Sequence, residues 1–284
     1  MIARFRLSRV VLAIIAGSSL AASGASLQAI FKNPLADPHL FGISGGAALG
    51  ACLAIAISGK SYFILPSADA IIGGLLAFLA LYFYLKRSGR ILNNCLLLGV
   101  LINSVAASLI TMLKVALPVH KSQSLLFWLI GHVGMVASGD FLWIIPLWLL
   151  GMGLLWSIKG ELEIISFGFD EGRLSGLDPE RVIKIAIIAN CILVGNVVSF
   201  AGMISFLGLI VPHLVRILYS ANLKVMLPLS AIMGAIILLF FDTLSRGSFI
   251  LFDSEIPIGA LCALFLSPPF FLLLLKSEKD AHSL

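Results

Sequence analysis

Asn33-Pro-Leu-Ala-Asp-Pro-His-Leu-Phe-Gly-Ile-Ser-Gly-Gly-Ala-Ala-Leu-Gly50 interrupts one long apolar segment and opens another. Asn33-Pro34 stops the preceding helix, because proline lacks an amide hydrogen and disfavours helical geometry in the residue before it. Asp37-Pro38 is a start signal: the carboxylate caps free amides of a first turn, and proline suits the first helical position. Gly42, Gly46 and Gly50 then recur every four residues, which predicts one helix face that lets a neighbour approach backbone to backbone. The stretch reads as a tight turn feeding a closely packed membrane helix.

Composition sets the same solvent. Of 284 residues, 60% are hydrophobic and 12% charged, against about 25% charged in soluble domains. The chain is an all-α polytopic helix bundle, taken as one domain over 1–284 with membrane lipid as its surroundings. Its 26 glycines suit helices that associate through small-residue contacts. The net charge of +5 calls for no nucleic acid, since excess Lys and Arg in such chains collects in cytoplasmic loops. Cys52, Cys95, Cys191 and Cys262 lie in separate apolar runs, without CxxC or histidine at ligand spacing, and read as packing residues. No phosphate loop, zinc-type His pair or Ser-His-Asp arrangement is present. Catalytic residues, cofactors and a metal site are therefore not expected.

A crossing needs about 20 apolar residues, and segments near 7–31, 42–58, 69–85, 91–113, 140–158, 181–200, 203–219, 225–245 and 257–275 qualify, about nine in all. Leu125–Ala137 is shorter and reads as a partial or interfacial helix. Only Ala201-Gly202 separates 181–200 from 203–219, so that turn is very tight or one element is incomplete. Arg4, Arg6 and Arg9, followed by an apolar run and Ala21-Ala22-Ser23-Gly24-Ala25, imitate a cleavable signal. The run continues to Phe31, which favours a retained helix. Nine crossings divide the 19 basic residues into seven on the amino-terminal side and twelve opposite. The majority side should be cytoplasmic, which places the amino terminus outside and the Asn33–Pro38 turn inside.

The longest hydrophilic interruption, Lys159–Lys184, holds Asp170, Glu171, Arg173, Asp178 and glycines at 168 and 176. It reads as one or two short helices with a glycine hinge, either a solvated loop or a docking surface for a cytoplasmic partner. Asp178-Pro179 repeats the cap-then-proline signal and should start the next membrane helix. Asp242 and Arg246 stand one helical turn apart, as a local ion pair would. Asn93, Asn94, Asn103 and Ser104 make 91–113 the most polar crossing, serving as glue between helices or as the lining of a path.

Three separated motifs carry a resemblance. Asn33-Pro-Leu-Ala-Asp-Pro with Gly42-Ile-Ser-Gly-Gly-Ala-Ala-Leu-Gly50, then Gly202-Met-Ile-Ser-Phe-Leu-Gly-Leu-Ile-Val-Pro-His-Leu-Val-Arg216, then Glu255-Ile-Pro-Ile-Gly259 with Ser267-Pro-Pro-Phe-Phe271, resemble the FecCD family. Its members are membrane subunits of ATP-binding-cassette importers for iron–siderophore complexes, haem and vitamin B12. The resemblance implies ten helices with both ends cytoplasmic, and places Arg6-Leu-Ser-Arg9 at the start of the second family helix, so that the first is missing here. It also implies two ATPase subunits, a second permease subunit (an identical copy or a related one) and an extracytoplasmic binding protein as partners, in the inner membrane. By the same resemblance Arg6, Arg9 and Arg246 dock the binding protein. Gly168, Asp170, Glu171, Arg173, Gly176, Leu177 and Asp178, in a loop of about 159–181, couple to the ATPase. Segment 91–113 lines the path, with an inner gate at the Arg87–Leu92 turn that includes Arg90.

The expected function is thus that of an importer permease whose ATP hydrolysis resides in a partner, with an iron chelate as the default ligand. An ion-coupled secondary transporter is the rival, but it needs carboxylates in mid-helix, whereas Asp69, Asp140 and Asp242 fall near segment ends. A truncated, non-transporting remnant is the third possibility.

Overall fold

The computed structural model describes residues 2–57, 67–87, 91–134, 136, 139–248 and 255–281. Among them are twelve α-helices, one 3-10 turn and no strand. In chain order the helices are α1 (Ile2–Phe31), α2 (Ile43–Ile57), α3 (Ser67–Arg87), α4 (Ile91–Ala116), α5 (Val119–Ile130), α6 (Phe141–Ser157), α7 (Lys159–Phe167), α8 (Phe169–Leu174), α9 (Pro179–Ala201), α10 (Leu207–Leu218), α11 (Leu223–Gly247) and α12 (Ile258–Ala281). Each of the nine apolar segments expected from the sequence is a helix. Four are long and apolar enough to cross a bilayer alone: Arg6–Phe31, Cys95–Ala116, Pro179–Ala201 and Leu223–Gly247. The pair α6 and α7, bent by 53° at Ile158, makes a fifth candidate. Shorter apolar helices such as α2 and α10 need their neighbours to complete a crossing.

Helix α1 is the hub, packing against α9, α10 and α11. Its middle, Leu20 to Ala25, is almost fully buried, as a helix surrounded by protein must be when it is apolar on every side. The run that imitates a cleavage site is in fact this packing surface. Gly17 meets Gly234 of α11 and Gly24 meets Gly208 of α10 so closely that a methyl group on any of the four would overlap the facing carbonyl or its neighbours. Polar side chains add glue. The Trp148 Nε1 donates to Ser18 Oγ at 3.0 Å, Asn190 Nδ2 to Ser26 Oγ at 3.2 Å, and Gln28 Nε2 to the Leu209 carbonyl at 2.9 Å.

The Asn33–Gly50 stretch is more elaborate than a turn followed by one helix. Asn33 Oδ1 accepts from the Leu35 amide, and Asp37 Oδ1 from the His39 amide at 2.7 Å. Asp37-Pro38 opens a single 3-10 turn, Pro38–Phe41, which Gly42 ends in the left-handed region at φ 80°. Only Gly46 and Gly50 therefore share a helix, and both press on Gly73 of α3; Gly42 instead abuts Ile102 and Gly99 of α4. Pro38 and Leu20 both lie against Gly208. Leu20 is eleven residues from the end of α1, so the turn climbs roughly 16 Å back into the bundle at 1.5 Å per residue.

Of two other breaks, one differs from the expectation and one settles the alternatives in favour of an incomplete element. The short helix after α4 spans Val119–Ile130 rather than Leu125–Ala137, because Gly131 adopts φ 83° and ends it; residues 135 and 137 of the expected stretch lie outside the described residues. Between α9 and α10 the joint is five residues, Gly202–Phe206, with positive φ at both ends (70° and 69°). Helix α10 consequently has 12 residues and begins beside the middle of α1.

Replacing Gly24 with leucine should cost about 3 kcal/mol or more through overpacking. Gly153→Leu, where an added Cβ meets nothing within 4 Å, should shift stability by less than about 0.5 kcal/mol. Unfolding of both variants in detergent measures the contrast, and equal losses would refute α1 as the packing centre.

Candidate functional site

Both ends of α1 carry groups suited to partners, and a cavity lies between them. At the amino-terminal end Arg9 reaches across to α11 and to the connector before α12. Its Nε donates to Asp242 Oδ1 at 2.8 Å, while Nη1 and Nη2 hold both Glu255 oxygens at 3.0 and 2.7 Å. Arg246 pairs with the other Asp242 oxygen at 2.7 Å. The Asp242 side chain is fully buried and that of Glu255 is 45% exposed. Among the described residues, two guanidiniums and two carboxylates thus form a neutral cluster, the condition under which buried charge is tolerated. Hydrogen bonds from Arg9 are the main reason the Glu255 carboxyl is held below its ordinary range, with burial opposing. Arg6, one turn before Arg9, is exposed. Of the expected docking arginines, two therefore already hold carboxylates within the chain.

Asp242 and Arg246 pair as their spacing predicts, whereas Arg9 and Glu255, which complete the cluster, are far from each other in the chain. Glu255 sits in the quoted Glu255-Ile-Pro-Ile-Gly259 motif, and its charge just ahead of a proline at a helix start was the available signal. The connector is itself fixed: Ser245 Oγ donates to the Ile256 carbonyl at 2.6 Å and the Ile256 amide to Ser248 Oγ at 3.0 Å.

At the opposite end α7 and α8 form an elbow around Gly168. Leu162 and Ile165 root α7 in the core, and Glu163 accepts from the Leu223 amide, capping α11. Lys32 donates to the Phe167 carbonyl, so both long central helices are tied to the elbow. Asp178 Oδ1 accepts from the Glu180 and Arg181 amides at 3.1 and 3.2 Å and starts α9. Asp170, Glu171, Arg173, Gly176 and Asp178 are exposed, Leu177 is half-buried and Gly168 is buried. Phe167 and Leu174, at 69% and 89% exposure, are apolar knobs among these charges that the sequence reading passed over.

Between the ends, several broken helices meet. Gly131, Gly202 and Gly259 bring the ends of α5 and α9 and the start of α12 into backbone contact. The His132 amide donates to the Ala201 carbonyl at 2.8 Å and the Gly259 amide to the Gly131 carbonyl at 3.3 Å. His39 bridges Ser44 Oγ at 2.6 Å and the Ile204 carbonyl at 3.0 Å. Bonding to a carbonyl requires a proton on Nε2. A cavity of about 510 Å³ opens here, bordered by Asp37, His39, Ile130, Ser205, Phe206 and Gly259. Asn103, expected either as glue between helices or on a path, clamps the turn: its Nδ2 donates to the His39 carbonyl at 2.9 Å and its Oδ1 accepts from the Gly45 amide at 3.2 Å. Ser104 is exposed. Arg90 and the side chains of Asn93 and Asn94 lie outside the described residues, as does much of the Arg87–Leu92 turn.

Comparison with known proteins agrees with this architecture. The chain is 33% identical to an uncharacterized ABC transporter permease protein, YvrB, of Bacillus subtilis (strain 168), over 98% of this chain and 80% of the relative. It is 34% identical to the hemin transport system permease protein HmuU of Yersinia pestis, over 98% and 84%. A solved structure described as an inward-facing ABC transporter of metal-chelate type superposes with a TM-score of 0.86 at 32% identity, covering 95% of this chain and 86% of that one. A model of the FecCD transport family matches residues 1–276, and the chain belongs to that family.

Proposed function

We propose that this chain is the permease subunit of an ATP-binding-cassette importer that receives an iron chelate from an extracytoplasmic binding protein and releases it into the cytoplasm. The observation that carries this reading is the polarity of the hub. Helix α1 ends in an arginine-bearing rim at one side and is tied to an exposed, partly apolar elbow at the other. A charged rim suits an acidic, dissociable partner, whereas apolar knobs such as Phe167 and Leu174 suit a partner that stays bound. The rim faces the binding protein and the elbow faces the ATPase. The whole of 1–284 acts as one permease domain, with 159–181 as its coupling loop, in the inner membrane.

Helix α4 shows Leu97, Val100, Leu101, Val105 and Met112 on its exposed face, and there a second permease subunit completes the pathway. The inner gate lies at residues 87–92, around the start of that helix. Similarity to a hemin permease and to a metal-chelate transporter supports a bulky metal chelate as cargo. Ion-coupled transport is less suited to this chain, because Asp242, the one fully buried carboxylate among the described residues, is spent on two arginines at a helix end.

In proteoliposomes containing the permease, its ATPase and the binding protein, uptake of a radio-iron hydroxamate complex should require ATP. Uptake driven by a proton gradient alone would exclude the importer reading. Leu174→Glu should reduce co-purification of the ATPase by about 10- to 100-fold, the worth of one buried leucine, and an undiminished complex would place the coupling surface elsewhere. Arg6→Glu, at an exposed position, should weaken binding-protein docking by about tenfold without altering the fold; unchanged docking would remove Arg6 from that interface.

A further inference from the structure

We infer that Glu255 is a built-in competitor for the docking partner, so that binding-protein engagement exchanges one carboxylate for another on Arg9 and thereby loosens the connector that leads into α12, which then rests on its bonds to Ser245 and Ser248. This inference rests on the docking reading above. An arginine has five N–H donors, and three on Arg9 are engaged: Nε by buried Asp242, and the outward fork of Nη1 and Nη2 by Glu255. The Asp242 leg fixes where Arg9 stands. The Glu255 leg fills the donors through which a partner's carboxylate would be gripped bidentately.

Charge balance makes the event an exchange rather than an addition. Arg9 and Arg246 are already neutralised by Asp242 and Glu255. A further carboxylate on the Arg9 fork would leave these four side chains net negative in a partly desolvated rim unless one of the two departs. Asp242 is fully buried within α11, whereas Glu255 is half-exposed and heads an irregular segment. Departure into water is therefore inexpensive for Glu255 and prohibitive for Asp242.

The departing residue is also the one attached to the cavity. Glu255 is followed by Ile256, Pro257 and then α12, whose Gly259 presses on Ile130, bonds to Gly131 and borders the cavity beside His39. A partner of matching chemistry is an acidic protein surface offering one carboxylate to the Arg9 fork. Docking then has a structural consequence at the start of α12 without any change in α1 or α11.

The test uses the assembled transporter in nanodiscs. Glu255→Gln, which removes the competing charge, should tighten binding-protein affinity by about tenfold, and Arg9→Gln should abolish docking. Unchanged or weaker affinity in Glu255→Gln, with docking still lost in Arg9→Gln, overturns the competition while leaving the docking role of Arg9 in place. Full docking by Arg9→Gln overturns the docking reading beneath it. A spin label at Ile256→Cys, selective because Cys52, Cys95, Cys191 and Cys262 are buried, keeps the latch intact and reports the connector directly. Binding protein should mobilise the label, and a spectrum unchanged at saturation would refute loosening.

Discussion

The close approach of α1 to α10 and α11 at glycine pairs is the constraint on which the rest of this bundle depends. In lipid no hydrophobic force holds one apolar helix to another, so association rests on van der Waals fit and on hydrogen bonds that the bilayer cannot supply. Gly17 facing Gly234, and Gly24 facing Gly208, bring backbones together where side chains would hold them apart. On other sides of α1, serines 18 and 26 accept from Trp148 of α6 and Asn190 of α9. Helices set at this distance make a core firm enough to support elements that do not cross the membrane by themselves.

Those elements would otherwise be forbidden. A helix that ends at membrane depth exposes carbonyl and amide groups that cost several kcal/mol each when unsatisfied in hydrocarbon. Here the breaks answer one another. The end of α9 accepts the amide of His132, the end of α5 accepts that of Gly259, and the irregular Ile204 carbonyl accepts His39. Each break supplies the partner that another lacks, which is why Gly131, Gly202 and Gly259 meet at one place and why a cavity adjoins them. Irregular backbone of this kind is tolerated where protein or a water-filled path surrounds it.

How much of this was legible follows from the range over which each feature acts. Apolar length is local, and all nine segments are helices; the Asp178 cap and the Asp242–Arg246 pair are local too. The capping of Asp37 was also readable, but not that it serves a single 3-10 turn, since that depends on Gly42 turning left-handed against Gly99 and Ile102. Leu125–Ala137 misplaced α5 because hydropathy continues past Gly131, where the helix does not. Arg9 and Asp242 are 233 positions apart, and no periodicity relates them. The small residues of α1 illustrate the deeper difficulty: Ala21-Ala22-Ser23-Gly24-Ala25 fits a cleavage site or a packing face equally, and only the neighbours decide.

In the proposed importer the placement of stiffness and of joints has a mechanical reading. Helices α1 and α11 are long, mutually packed and anchored at both ends, by Arg9 with Asp242 at the rim and by Lys32 and Glu163 at the elbow. Force applied to the elbow therefore moves these two helices as a body, since bending them would break backbone hydrogen bonds in lipid. The breaks at 131, 202–206 and 255–257 lack that protection, and each is held by a few hydrogen bonds outside any helix ladder. Rearrangement is cheapest there. The joints border the cavity while the rigid pair reaches both proposed partner surfaces, so motion that begins at either surface is delivered to the segments beside the cavity.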